Sequence, residues 1–363
     1  MSSPQLWWGR RQLWWGAGNS GGAQATLVGA QATAARAELS TYPFAIHIPI
    51  AGLVRSTCSH DAAGVPRPLP PVLVALAIEQ RGALLAVQIA EVLGAKQIRR
   101  LTGDDTVTKL WHSAYALPHH AAAAACRVEA AGLSLDRPVV ACLQTAAELY
   151  GFDLETDPRT HILADHDWSN ATAGIVQHRY RPVRDHQLLD GQKVADIAET
   201  AVRMACRESD PARVLAVLDR SLFRTVLDQA DLARVADDLR IRGISLTREL
   251  IGLADGRAES PGESWLRWVC HEAGFPPATP QIWITDDYGR RCRIDLGWEK
   301  LRVGCEYDGV EFHTGGALTR DRSRYNTLGR QQWLMHGVTH SMIWHQRRFL
   351  VADIRSLLDQ RSA

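Results

Sequence analysis

The sequence predicts an α+β chain of several domains: an N-terminal helix-turn-helix module with a wing, a mostly helical middle, and a C-terminal domain of order αβββαβα. Three observations predict it. A chain of 363 residues can bury two or three separate cores. The first seventy residues differ in character from everything after them. Leu253 to Glu259 (Leu-Ala-Asp-Gly-Arg-Ala-Glu) reads as the boundary of the last domain. The expected divisions are 1–70, 71–118, 119–253 and 258–363.

Composition narrows the function classes. There is no run of eighteen apolar residues, so no transmembrane helix and no membrane partner is expected. Seven scattered cysteines without a Cys-x-x-Cys pair suggest neither a disulfide framework nor a zinc site, and they fit a reducing, cytoplasmic setting. A formal charge of +1 is too small for bulk attraction to nucleic acid, so local patches must carry any such contact.

Within residues 1–70, Gln-Leu-Trp-Trp-Gly occurs at 5–9 and 12–16, and Gly-Ala-Gln-Ala-Thr at 22–26 and 29–33. Neither repeat has the charges or apolar spacing of a heptad, so the segment reads as low-complexity and disordered, or as an over-long translation start. Val72 to Gln80 is expected as a first helix and Leu84 to Leu93 as a second. Gly94 then opens a short turn into a third helix, Lys96 to Leu101, which makes the helix-turn-helix pattern. Thr106 to Leu117 follows as a strand pair in the position of a wing. Lys96, Arg99 and Arg100 on the last helix and Lys109 on the wing are candidate phosphate contacts.

In the middle, Val139 to Tyr150 is expected as a buried helix ending at Gly151, with short strands at Thr160 to Leu163 and Ile175 to His178. Val194 to Cys206 and Arg213 to Leu222 are expected as amphipathic helices. Asp165-His166-Asp167 has the composition of a metal site, but adjacent side chains point apart, and a surface turn accounts for it better.

The last region opens on Ser260-Pro261-Gly262-Glu263, with Ser as N-cap, Pro at the first helical position and Glu at the third, a capping box. A strand is expected over Gln281 to Thr285, then a hairpin, then a helix from Leu318 to His336, a strand from Val338 to Trp344 and a helix from Phe349 to Leu358. In the hairpin, period two puts Ile294, Leu296 and Trp298 on one face with Leu301, Val303, Cys305 and Tyr307, and turns Asp295, Glu306 and Asp308 the other way. With Glu299 and Lys300 as the turn, Trp298 would pair with Leu301 and Asp295 would face Gly304, with Glu306 roughly 7 Å off on the diagonal. Gly304 would leave space between the acids. Two carboxylates over a cavity suit a hard divalent cation such as Mg²⁺, which could activate water against a phosphodiester. A solvated polar face accounts for the same residues without any metal. From His313 to Arg348 there are six arginines against one acid, and Arg320, Arg322, Arg324 and Arg330 are candidate DNA contacts.

Two resemblances follow from these residues. Residues 73–118, ending in Tyr115-Ala116-Leu117-Pro118, resemble the N-terminal winged-helix domain of AbiEi-like antitoxins. Residues 258–358, with Ser260-Pro261-x-Glu263, Ile294-Asp295 and Glu306-Tyr307-Asp308-Gly309 followed by His313, resemble the Vsr-like branch of the PD-(D/E)XK nuclease superfamily, a restriction-endonuclease-like fold. The second implies a catalytic set of Asp295, Glu306, Asp308, His313 and Glu263, with Asp295 and Glu306 holding Mg²⁺ and His313 acting as proton carrier or ligand. Asp308 stands where that superfamily has lysine, so either a further carboxylate ligand has taken over or the site no longer cuts. Together the resemblances imply a Mg²⁺-dependent DNA endonuclease with a winged-helix module, or, alternatively, a non-catalytic DNA-binding regulator or antitoxin-like protein that keeps a degenerate nuclease fold. DNA is the expected partner, with a partner protein or a second copy besides.

Overall fold

Pro71 opens the first helix, α1 (Pro71–Glu79), where its missing N–H would have had no partner in any case. The computed structural model describes residues 68–155, 157–164, 173–286, 289–309 and 326–362, all within the compact unit His60–Ala363. After α1 come β1 (Ala83–Leu85), α2 (Ala86–Leu93), α3 (Ala95–Gly103), β2 (Thr108–Trp111) and β3 (Ala114–Ala116). The three strands form an antiparallel sheet in the order β1-β3-β2. The expected helix from Leu84 starts two residues later. Its apolar opening pairs with β3, and the Gln88 side chain accepts a 2.8 Å bond from the Leu85 N–H where the helix begins. Gly94, at φ +83°, separates α2 from α3. Leu73, Ala77, Leu84, Ile89, Leu101, Val107 and Tyr115 form the module's core.

The β2–β3 hairpin is not a free-standing wing. Trp111, Ala114 and Ala116 pack into a second core with Cys126, Val128, Ile162, Ile175 and Val194, and the Trp111 indole donates to Ser134 Oγ at 3.0 Å. The strands thus contribute to two cores, the module's own and one shared with residues beyond 118.

The middle holds more helices and more strands than its sequence suggests. Besides α4 (Ala124–Ser134), α5 (Leu143–Leu149), α6 (Ile197–Ala205), α7 (Pro211–Arg224), α8 (Gln229–Asp238) and α9 (Ile244–Ile251), it holds five strands. These are β4 (Val140–Ala141), β5 (Thr160–Leu163), β6 (Ile175–His178), β7 (Gln187–Leu189) and β8 (Gln192–Val194), in the order β6-β5-β4-β8-β7. The helix expected from Val139 is instead a strand and a helix. Val140 and Ala141 pair with Leu163 and Ile162, and the chain turns at Leu143, φ +48°, before α5. Likewise Val194 belongs to β8, and Asp196 caps α6 by accepting from the Glu199 N–H at 2.9 Å.

The C-terminal region comprises α10 (Pro261–Glu272), β9 (Thr279–Thr285), β10 (Arg291–Trp298), β11 (Val303–Asp308), β12 (Leu334–Thr339), α11 (His340–Trp344) and α12 (Arg347–Ser362). The sheet order is β12-β11-β10-β9, with β11 and β12 parallel and the other pairs antiparallel. Within the span expected as a helix to His336, the described residues are helical only at 326–330, and Leu334 already lies in β12. The strand expected to reach Trp344 stops at Thr339, which caps α11.

Helices α7 and α10 join middle to C-terminus through buried charge. Asp219 is fully buried and accepts from Arg267 at 2.7 and 2.8 Å and from the Asp255 N–H at 2.7 Å. Its neighbour Arg220, also fully buried, donates to the Phe152 carbonyl at 2.9 Å and to the Glu259 carbonyl. The boundary segment Leu253 to Glu259 is thereby fastened at Asp255 and at Glu259.

Candidate functional site

Helix α3 buries Leu101, half-buries Ile98, and leaves Lys96, Arg99 and Arg100 exposed, because positions three and four apart share a helix face. Lys109 is exposed on β2. Arg100 lies 4.0 Å from Asp104, whose carboxyl is held below its ordinary range chiefly by the Thr106 hydroxyl at 2.5 Å. Lys96, Arg99 and Lys109 have no acidic partner among the described residues.

The carboxylates of the C-terminal region are arranged differently from the expectation. The hairpin loop is longer than two residues: a short 3-10 turn, Glu299–Leu301, and Arg302 at φ +50° intervene, so Trp298 pairs with Val303 rather than Leu301. Gly297 faces Gly304 and Leu296 faces Cys305, which puts Asp295 across from Glu306 instead of Gly304. The alternation also breaks. Ile294 packs with Ile282, Leu328 and Trp333, whereas Leu296 packs with Trp298, Val303 and Cys305. In the β9–β10 register Asp295 falls opposite Gln281, whose φ of +57° marks the irregularity. The space expected above Gly304 is filled: a Cβ there would lie 2.8 Å from Met335 Sδ and 2.9 Å from Ile294.

Each acid has its own surroundings. Asp295 accepts from the Tyr307 N–H at 3.0 Å, and Glu306 is buried. Asp308 is exposed at the end of β11, over Gly337, the parallel partner of Glu306. Ser260 caps the helix as expected, accepting from the Glu263 N–H at 3.3 Å, while the Glu263 carboxylate is engaged at both oxygens but takes the Glu259 N–H in place of the capping box's Ser260 N–H. Oε1 accepts from Ser260 Oγ at 3.0 Å, and Oε2 from the Glu259 N–H at 2.9 Å and Gln281 Nε2 at 2.5 Å. Burial raises its pKa, and the charge of Asp295 adds to the rise. Among the described residues no three His, Cys, Asp or Glu side chains converge so as to hold a metal ion. Arg330 donates at 3.2 Å to buried Asp286, which also binds Arg290. His313, Arg320, Arg322, Arg324 and the Asp165-His166-Asp167 run lie outside the described residues.

Sequence reasoning missed a polar chain on the β5–β6 pair. His178 Nε2 meets His161 Nδ1 at 3.0 Å, and His161 Nε2 meets Asp157 Oδ2 at 3.0 Å. Burial lowers both imidazole pKa values, that of His178 to about 4, so both rings are neutral at pH 7. The Cys142 thiol nearby is pushed up to about 12 by burial and is no nucleophile. Gln281 was missed too, since its role depends on a turn of the backbone that no residue type announces.

Comparison with known proteins bears on the middle and its flanks. Two proteins from strains of Mycobacterium tuberculosis, the uncharacterized proteins MT2308 and Rv2248, are each 32% identical over 256 residues, which is 70% of this chain and 93% of theirs. The chain belongs to their family. Residues 139–253 match the family model of the AbiEi antitoxin C-terminal domain. The AbiEi match thus lies on the middle region, not on residues 73–118, where the resemblance was expected. The mycobacterial alignment, at 256 residues, is longer than that segment, so the family shares sequence beyond it. The AbiEi-matching segment carries the His161–His178 pair, the Asp219 and Arg220 anchors and the core around Phe152, Leu215, Leu218 and Leu232.

Proposed function

We propose that the chain is a non-catalytic DNA-binding regulator of the antitoxin type, with a winged helix at 71–118 as its DNA contact and an endonuclease-like C-terminal domain retained as scaffold. One observation carries this reading. The AbiEi-matching segment follows, with helix α4 between them, a helix-strand-helix-helix-strand-strand module whose third helix turns Lys96, Arg99 and Arg100 to solvent. Cations without acidic partners are available to phosphates, and a two-helix unit presents its second helix to a groove. An antitoxin-type role also implies a partner protein. Gel shifts of the full chain on duplex DNA test the reading. Binding should weaken steeply between about 50 and 200 mM salt, and Lys96→Ala with Arg99→Ala should abolish most of it. Binding unchanged in that double variant would reject the assignment of α3.

A second reading, a DNA endonuclease, draws support from Asp295 and Glu306 standing across from each other beside a parallel strand pair. In that reading these two would hold Mg²⁺, which would supply a water activated for attack on phosphorus. Asp308 and His313 would flank it. Engagement of Glu263 on its own helix end and the filling of the space at Gly304 favour the first reading. Plasmid incubated with Mg²⁺ or EDTA separates the two: nicking by the wild type that is lost in Asp295→Ala and Glu306→Ala would establish the enzyme.

A further inference from the structure

Strand β9 is the outer strand of the C-terminal sheet, and its residue Trp283 is 55% exposed. Ile282 and Ile284 turn inward to the core with Ile294 and Cys292, which leaves Trp283 on the opposite face. Its companions there are two arginines of β10. The Arg291 guanidinium lies 4.3 Å from the ring centroid, and that of Arg293, directly across the ladder, 5.4 Å. Arg293 is fixed by paired 2.6 Å bonds to Glu259, so it forms part of the wall. Arg291 is exposed and has no acidic partner among the described residues.

We infer that this face is a stacking platform for an unpaired base of single-stranded nucleic acid, with Arg291 compensating a phosphate. Indole and guanidinium planes are surfaces on which any base can stack, and a cation beside them matches the charge of the strand. The other occupant of an exposed sheet edge, an added peptide strand, needs a regular row of backbone donors and acceptors. Gln281, at φ +57°, interrupts that row two residues from Trp283. The platform is distinct from α3 and stands whether or not α3 binds duplex DNA.

The test uses the full chain and a labelled oligothymidine of about fifteen nucleotides, within the span that one such surface covers. Trp283→Ala should weaken binding about tenfold to a hundredfold. Trp283→Phe, which keeps a stacking plane, should restore most of it, and Arg291→Ala should weaken it and flatten its salt dependence. Lys96→Ala with Arg99→Ala should leave the oligothymidine arm unchanged while lowering duplex binding, so failure of the regulator reading appears only in the duplex arm. Absence of oligothymidine binding, equal binding by Trp283→Ala, or no rescue by phenylalanine would each overturn the platform.

Discussion

Helix α3 and the carboxylate group around α10 hold similar numbers of charged side chains and treat them in opposite ways. On α3, Lys96 and Arg99 stand in water without acidic partners among the described residues. At the C-terminal group, Glu263 is engaged by its own helix end and by Gln281, and Asp295 accepts from the backbone of the next strand. Charges with satisfied partners hold a fold together, and displacing those partners for a metal would cost what they now contribute. The contrast is between charges left open to solvent on α3 and charges engaged by the fold around α10.

The largest test of structural duty lies at the junction of α7 and α10. Asp219→Ala would leave the Arg267 guanidinium facing a buried void, and breaking a buried pair in this way costs about 3–5 kcal/mol. Thermal or denaturant unfolding should show that loss. A drop of under about 1 kcal/mol would mean that water reaches Arg267 and that the junction is loose. Next comes acid sensitivity of the middle. His178 has a folded pKa of about 4, below the ordinary 6.5, so the unfolded chain takes up its proton first as pH falls. Stability from this residue is intact above pH 6.5, declines towards pH 4 and is level below it. His178→Gln should flatten that part of the stability curve, measured as the wild-type-minus-variant difference across pH.

Glu263→Ala sharpens the comparison more directly. It removes the carboxylate that accepts from the Glu259 N–H and Ser260 Oγ at the helix start and should cost about 1 kcal/mol, with no change in any effect of Mg²⁺ on melting temperature. A Mg²⁺-induced rise in the wild type that vanishes in this variant would return the group to the metal-binding class. The smallest stability effect belongs to α3: Lys96→Ala and Arg99→Ala should alter stability by less than about 0.5 kcal/mol, since neither has a buried partner. A larger loss would mean that the cations serve the fold rather than a ligand.

Local chemistry explains which parts were legible from sequence. Ser260, Pro261 and Glu263 specify a helix start within four residues, and the structure has that cap. The strands β10 and β11 follow from alternation, but their faces do not. The break at Asp295 arises opposite Gln281 on another strand, a non-local cause. Val139 to Tyr150 misled because a short buried strand and a buried helix have the same apolar composition. The β7–β8 hairpin was legible and overlooked: Asp190-Gly191, at φ +48° and +80°, is the pair that a two-residue turn favours.

The anchoring of Phe152 and Glu259 carbonyls by Arg220 has a consequence for inheritance. A recombination event that exchanged the C-terminal region alone would separate Arg267 from Asp219 and leave Arg220 without the Glu259 carbonyl. Shuffled chimeras of this family should therefore survive with crossovers before residue 139 more often than with crossovers between 220 and 267.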